Sequence, residues 1–443
     1  MELALYSENG YYARAVQRSG RAGDFFTSVD VGPLFGQLLA AQLAEMFAIL
    51  ASRAPSPESR APSPESRAPS PEPRAPSPEP RAPSPEPRVP NPESRTPNPE
   101  FDLVEAGAAD GRLAADILRA ARTRHPSLYE AVRLHLVETS AVARAAQRAT
   151  LGETGDCLAS SSPHLPASFE GVLLANELLD ALPVHQVVMR EEGLREVYVD
   201  MARDVQPCDR GPAAFAPLTL RRASPELARP SRERRREGAA LRLTTREGPP
   251  STPALEDYLQ RIGVTLEPGW RAEINLQAVD WIRDAARRLR RGFIIVIDYG
   301  HEARELYSPT HVQGTLTTFA RHMITGPESA GAPPWLQQPG EQDITAHVDF
   351  TSVRAAAEAE GLRTLGFLDQ TYFLLGILTG CRESSALGVR LESDSSLTSS
   401  ANSRHLKTLL MPGGLGSTHK VLILGKGVGT PALLGCSYRQ RIT

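Results

Sequence analysis

The chain has 443 residues, 41% hydrophobic and 23% charged, with a net charge of −3, the balance of a globular protein of two or three domains. So little net charge disfavours nucleic acid as the main partner, because phosphate binding is mostly electrostatic. Cysteines at 157, 208, 381 and 436 lack the spacing of a disulfide framework or zinc site, which fits a reducing compartment.

The N-terminus MELALYSENG has no basic region followed by an apolar core, so no signal peptide is expected and the cytoplasm is the default location. Residues 33–50 read as a helix with Leu34, Leu38, Leu39, Leu43, Met46 and Phe47 on one face. Its interrupted apolar run, like that around Phe373–Leu378, falls short of the ~20 residues of a membrane span. From Arg53 to Glu100 a seven-residue unit of the RAPSPES type repeats, with a proline at every second or third position. Proline removes backbone donors, so this tract is expected to be a disordered or polyproline-II tether, roughly 150 Å long at ~3.1 Å per residue.

Beyond the tract, strands alternate with helices. Residues 101–106 and 133–137 read as strands, 112–124 and 140–149 as helices, and 171–175 as an apolar strand. A long Arg-, Pro- and Ser-rich loop is expected over 203–253, with the basic run Arg234–Arg236 inside it. Helix 274–291 carries the second basic run on a solvated face. It leads into GFIIVIDYG (292–300), whose apolar run suits a strand buried on both faces. Glu383–Ser403 is polar and Ser-rich, and 406–427 ends in a last strand. The alternation predicts an α/β fold with a doubly wound, mainly parallel sheet.

In such sheets ligands bind beyond the carboxyl ends of the strands. The first strand ends in Glu105 and runs into Gly107-Ala108-Ala109-Asp110-Gly111, where small residues would let the backbone approach a ligand and aim N–H groups at it. A plain packing turn would use the same residues. The dinucleotide fingerprint G-x-G-x-x-G places its third glycine where Arg112 stands. The tighter spacing after an acid suits S-adenosylmethionine (SAM) instead. Glu138, ending the next strand, is placed to accept from two ribose hydroxyls, a device that both cofactor classes use.

Seven segments in order carry a resemblance: GYYARAVQRSGRAGDFFTS (10–28), LFGQLLA (34–40), LVEAGAADGRLAADIL (103–118), ANELLDALPVHQ (175–186), IDYGHEARELY (297–307), GTLTTFARH (314–322) and PGEQDITAHVDF (339–350). Together they resemble the MidA family of SAM-dependent methyltransferases, which includes a mitochondrial complex I assembly factor that symmetrically dimethylates an arginine. The resemblance implies a class I methyltransferase fold with a smaller inserted lobe. It divides the chain into an N-terminal helical part (1–52), the repeat insertion (53–100), a SAM-binding core (101–183), the lobe (184–273) and the rest of the core (274–427). It implies that Glu105, Gly107, Ala109 and Gly111 form the cofactor loop, that Glu138 holds the ribose, and that Gly23, Asp24, Thr27 and Ser28 close over the cofactor. Relatives have glycine where Ala109 stands, which raises the alternative of a non-catalytic assembly factor with a weakened SAM site. They also carry a helix ahead of this N-terminus, so Met1 is expected to be a late start.

Methyl transfer needs an aligned nucleophile, and a charged guanidinium is a poor one until carboxylates orient it and localise its charge. Asn176, Glu177 and Asp180 follow the fourth strand, where Glu177 and Asp180 would share a side if the turn were helical. They are the candidates to grip a protein arginine, with helix capping as the plainer reading of the two acids. Asp298 at the end of the fifth strand is a further candidate. His185 is a candidate proton acceptor, though such a histidine commonly just begins a strand. Asp343, His347 and Asp349 have the spacing of no standard site, so no metal is expected.

Overall fold

The computed structural model describes residues 1–13, 23–24, 27–52, 100–203, 241–320, 323–327, 333–383, 400–410 and 418–438. The repeat tract, apart from Glu100, lies outside them. So does 204–240, the larger part of the expected long loop.

Strands β1 (Phe101–Ala106), β2 (Val132–Val137), β3 (Leu158–Ser162) and β4 (Phe169–Asn176) begin the main sheet. After β4 the chain leaves it to build a lobe from β5 (His185–Arg190), β6 (Gly193–Arg203), β7 (Leu241–Gly248) and β8 (Arg271–Ile274), which pair antiparallel in the order β7-β6-β5-β8. It returns as β9 (Leu289–His301). A small antiparallel sheet then forms from β10 (Thr317–Ala320), β11 (Met323–Thr325) and β12 (Asp343–Thr345). The short β13 (Val348–Asp349) lies parallel against the end of β9, and β14 (Arg363–Asp369) and β15 (His419–Lys426) complete the main sheet.

The main sheet runs β3-β2-β1-β4-β9-β15-β14, with its first five strands parallel and β15 antiparallel to both neighbours. From β1 the chain winds outward through β2 and β3, then crosses back to β4 on the other side of β1. That reversal opens a crevice beyond the carboxyl ends of β1 and β4. Both strands are buried along nearly their whole length, as a parallel sheet covered on both faces requires.

Helix Arg112–Arg124 presents Leu113, Ile117, Leu118 and Ala121 to the core, as its periodicity predicts. Helix Leu34–Ser52 packs beside it with Leu34, Phe35, Leu39, Leu43 and Met46 at most 1% exposed. By length and composition this helix could cross a membrane, contrary to the expectation from its sequence. Its apolar surface is spent on the core of the sheet instead. Two other readings are corrected. Leu241–Gly248, expected inside a loop, is a strand registered along β6 through eight residue pairs, because cross-strand pairing organises a segment whose own sequence is strongly polar. The polar 383–403 segment contains the start of a helix, Ser400–Leu410.

Candidate active site

The loop after β1 is a left-handed turn. Gly107, Ala109 and Gly111 have φ of +74°, +45° and +83°. The N–H groups of Gly107 and Ala108 both donate to the Val137 carbonyl, at 2.9 and 3.1 Å, and that of Gly111 to Ala108, at 2.7 Å. Ala109 N–H donates to Glu138 Oε2 at 2.9 Å, and Gln147 Nε2 donates to the Ala109 carbonyl at 2.8 Å. The expectation that this loop aims its N–H groups at a ligand therefore fails at four of its positions, where they close the loop on itself and on β2. A dinucleotide would need such donors for its pyrophosphate. SAM carries no phosphate, and needs from the loop only small residues and close approach.

Glu105 does not face the crevice. It is 5% exposed and accepts from Ala114 N–H at 3.1 Å, clamping the end of β1 to the first turn of the next helix. Burial pushes its carboxyl up to about 8, against the lowering effect of that N–H. Glu138, half-buried at the end of β2, holds Ala109 through Oε2 and accepts from Ser140 N–H through Oε1 at 2.7 Å. A carboxylate offers about four acceptor directions, so Glu138 retains capacity for ribose hydroxyls.

Across the crevice, Glu177 follows β4 at φ +50°, a backbone state that non-glycine residues rarely adopt. Its N–H donates to the Ile297 carbonyl of β9 at 2.8 Å, and its side chain is 12% exposed. Residues 177–182 form a bent turn with no helix after it, so the capping reading of Glu177 and Asp180 has no helix to cap. Asp298, fully buried, holds the turn: its Oδ2 accepts from the N–H groups of Leu178 and Leu179, at 3.1 and 2.8 Å, and Oδ1 from Tyr299 N–H. Burial raises its carboxyl to about 7. Through the N–H groups of Leu178 and Leu179, Asp298 braces the turn that begins at Glu177.

Asp180 is 5% exposed, and its Oδ1 has no hydrogen-bond partner. Burial, then the nearby charges of Asp298, Glu177 and Asp343, push its carboxyl well above the usual range. The Oδ1 of Asn176 is likewise buried without a partner. Four acids thus gather from β4, β9 and β12, with the Tyr12 hydroxyl donating to Asp343 at 2.9 Å and the Tyr6 hydroxyl to the Ala181 carbonyl at 3.0 Å. Their mutual repulsion is relieved by protonation or by a bound cation.

The N-terminal segment reaches this cluster. Ser28 N–H donates to Glu177 Oε1 at 3.4 Å, and Gln370 shares a hydrogen bond with the Ser28 hydroxyl. Thr27 binds Asp30, whose carboxylate pairs with Arg112 beside the cofactor loop, while Asp24 accepts from the Tyr11 hydroxyl. Gly23 lies beside Asp24. Sequence reasoning missed His419, fully buried at the start of β15, with its ring 3.9 Å from that of Tyr299 and Nε2 3.5 Å from Glu177 Oε1. Its signal is the sheet register, which sets it opposite Tyr299. Tyr6 and Tyr12 were also missed. His185 stands apart in the lobe, where Nδ1 lies 2.7 Å from Glu196 Oε1.

The site's donor set fits SAM: a loop of small residues, a half-buried carboxylate at the end of β2, and the partnerless Asn176 oxygen. Residues 91–368 match the profile of a family described as S-adenosyl-L-methionine-dependent methyltransferases. The chain belongs to this family. The methyltransferase is also 26% identical over 395 residues to "Protein arginine methyltransferase NDUFAF7, mitochondrial" of Mus musculus, covering 84% of this chain and 68% of that one. With the Drosophila melanogaster homolog of the same name it shares 24% identity over 453 residues, 96% and 80% of the two chains. A solved Burkholderia thailandensis protein bound to S-adenosyl-homocysteine superposes with a TM-score of 0.69 at 25% identity, across 100% of this chain and 90% of that one. The MidA resemblance and the SAM cofactor are both borne out.

Proposed function

We propose that this SAM-dependent methyltransferase acts on an arginine side chain of a protein. The observation that carries this reading is the buried acidic cluster facing the cofactor loop, above all Glu177 in its left-handed turn beside Asp180 with a free Oδ1. A guanidinium is planar, permanently charged and rich in donors, and it matches paired carboxylates in charge and geometry. When bound, SAM supplies an electrophilic methyl group on a sulfonium. Glu177 and Asp180 orient the guanidinium and localise its charge away from the attacking nitrogen, and one of these carboxylates takes the proton that nitrogen loses. Asp298 keeps the turn in place, and Ser28 covers Glu177. The names of the relatives point the same way.

The family resemblance extends the reading to symmetric dimethylation and to respiratory-complex assembly. The cytoplasmic address read from the N-terminus stands against the mitochondrial address in the relatives' names, and imaging the tagged full-length chain decides between them. A non-catalytic role is not favoured, because the loop takes its left-handed turn with Ala109 in it.

Mass spectrometry of arginine methylation in cells with and without the gene tests the substrate class. Loss of specific methylarginine sites supports it; an unchanged methylarginine profile, with changes confined to another residue type, overturns it. Glu177→Gln is expected to lower methyl transfer by about 10²-fold or more while SAM binding by calorimetry stays unchanged. Full activity in that variant would remove Glu177 from the acceptor site.

A further inference from the structure

Beyond the end of β9, three histidines from three separate segments converge. His301 ends β9, His311 closes the short 3-10 turn Pro309–His311, and His347 precedes β13. One ring nitrogen from each lies within 4.8 Å of the other two. The ring centroids are 5.2 Å apart for His301–His311 and His301–His347, and 6.0 Å for His311–His347. We propose that His301, His311 and His347 form a binding site for a divalent transition metal, zinc by its donor set, distinct from the SAM and acceptor sites.

The hydrogen bonds around the rings have the form a metal requires. His311 Nδ1 lies 3.1 Å from the Glu305 carbonyl, which can only accept, so Nδ1 carries the proton and Nε2 presents a lone pair. His347 is anchored by its own N–H, which donates to Thr315 Oγ1 at 3.0 Å, yet its Nδ1 is buried without a partner. An unpartnered buried ring nitrogen carries a desolvation cost that a metal would cancel. Glu305, with Oε1 3.0 Å from His301 Nδ1, stands at the exposed rim, where its carboxylate or a water can complete four-coordination. Three imidazoles with one further oxygen are a zinc donor set, at Zn–N distances of about 2.0–2.1 Å.

The position suggests what the ion would do. His301 is three residues beyond Asp298, roughly 10 Å along the strand. His347 is four residues after Asp343. His311 precedes Thr315, which binds the lobe through Glu273 at 2.7 Å. A metal here would brace the three segments that carry or flank the acidic cluster, without itself touching the acceptor.

The test uses the full-length chain, stripped with chelator and then dialysed against zinc or cobalt alone. We expect one zinc per chain by elemental mass spectrometry, and with cobalt the intense visible absorption of a four-coordinate site. His347→Gln and, separately, His311→Asn should each weaken zinc binding more than about 100-fold. SAM binding, measured in parallel, should persist in both variants and certify that they fold. Zinc well below one per chain at saturation, the weak spectrum of six-coordinate cobalt, or undiminished zinc affinity in both variants would each overturn the proposal.

Discussion

Ala109 holds its methyl group at φ +45°, between two glycines that adopt the same left-handed turn at lower cost. An L-residue in this region is disfavoured by about 1–2 kcal/mol, whereas glycine's extra freedom in the unfolded chain costs about 0.5–1 kcal/mol. Ala109→Gly should therefore raise the melting temperature modestly. Because the same turn holds Glu138 through the Ala109 N–H, it should also tighten SAM binding in calorimetry. Weaker binding would show instead that the methyl group contacts the ligand. Glu177 makes the parallel case from the acceptor side, where a strained φ is retained in a turn that two Asp298 hydrogen bonds and the Ile297 carbonyl over-determine. The identity of both residues is plain in the sequence, but their backbone signs are not. Nothing local to alanine or glutamate announces a left-handed state that neighbouring strands impose.

At the scale of elements, Glu105 joins β1 to the helix that follows, and its buried carboxyl gives that junction a pH dependence. Unfolded, the group titrates near 4.3, and folded it is held up to about 8. Between these values the folded chain keeps a proton that the unfolded chain releases. The contribution to stability is thus fully present below about pH 4.3 and is lost as pH rises through 8. Glu105→Gln keeps an acceptor for Ala114 N–H and removes the titration. Its melting temperature relative to the wild type should rise between pH 5 and pH 8; a pH-independent difference would show that Glu105 ionises normally. The comparison isolates this group from His347, whose ring is lowered to about 4 by burial and works in the opposite direction. Helix Arg112–Arg124 and β1 were legible because each follows its own period and ends on a recognisable residue. Strand β7 was not, because its eight residues find order only against β6.

For the whole molecule, the repeat tract between helix Leu34–Ser52 and β1 is the largest low-complexity feature of the sequence. Insertions at loops cost little, since closure entropy grows only slowly with length. Replacing residues 53–99 with a short Gly/Ser linker is expected to leave the melting temperature and SAM affinity unchanged. A large drop in either, read by calorimetry, would mean that the tract packs against the core. The alternation of strands and helices was enough to reach a doubly wound sheet, because that signal is local and periodic, while the seven ordered segments of the family resemblance carried the methyltransferase and its cofactor. The acidic cluster draws on Glu177, Asp180, Asp298 and Asp343, with His419 beside it, and the histidine triad on positions 301, 311 and 347. Their meeting depends on sheet order and loop closure. Sequence alone decided the fold and the cofactor; the tertiary structure decided which charges face one another, since contacts between residues far apart in the chain leave no periodic trace in it.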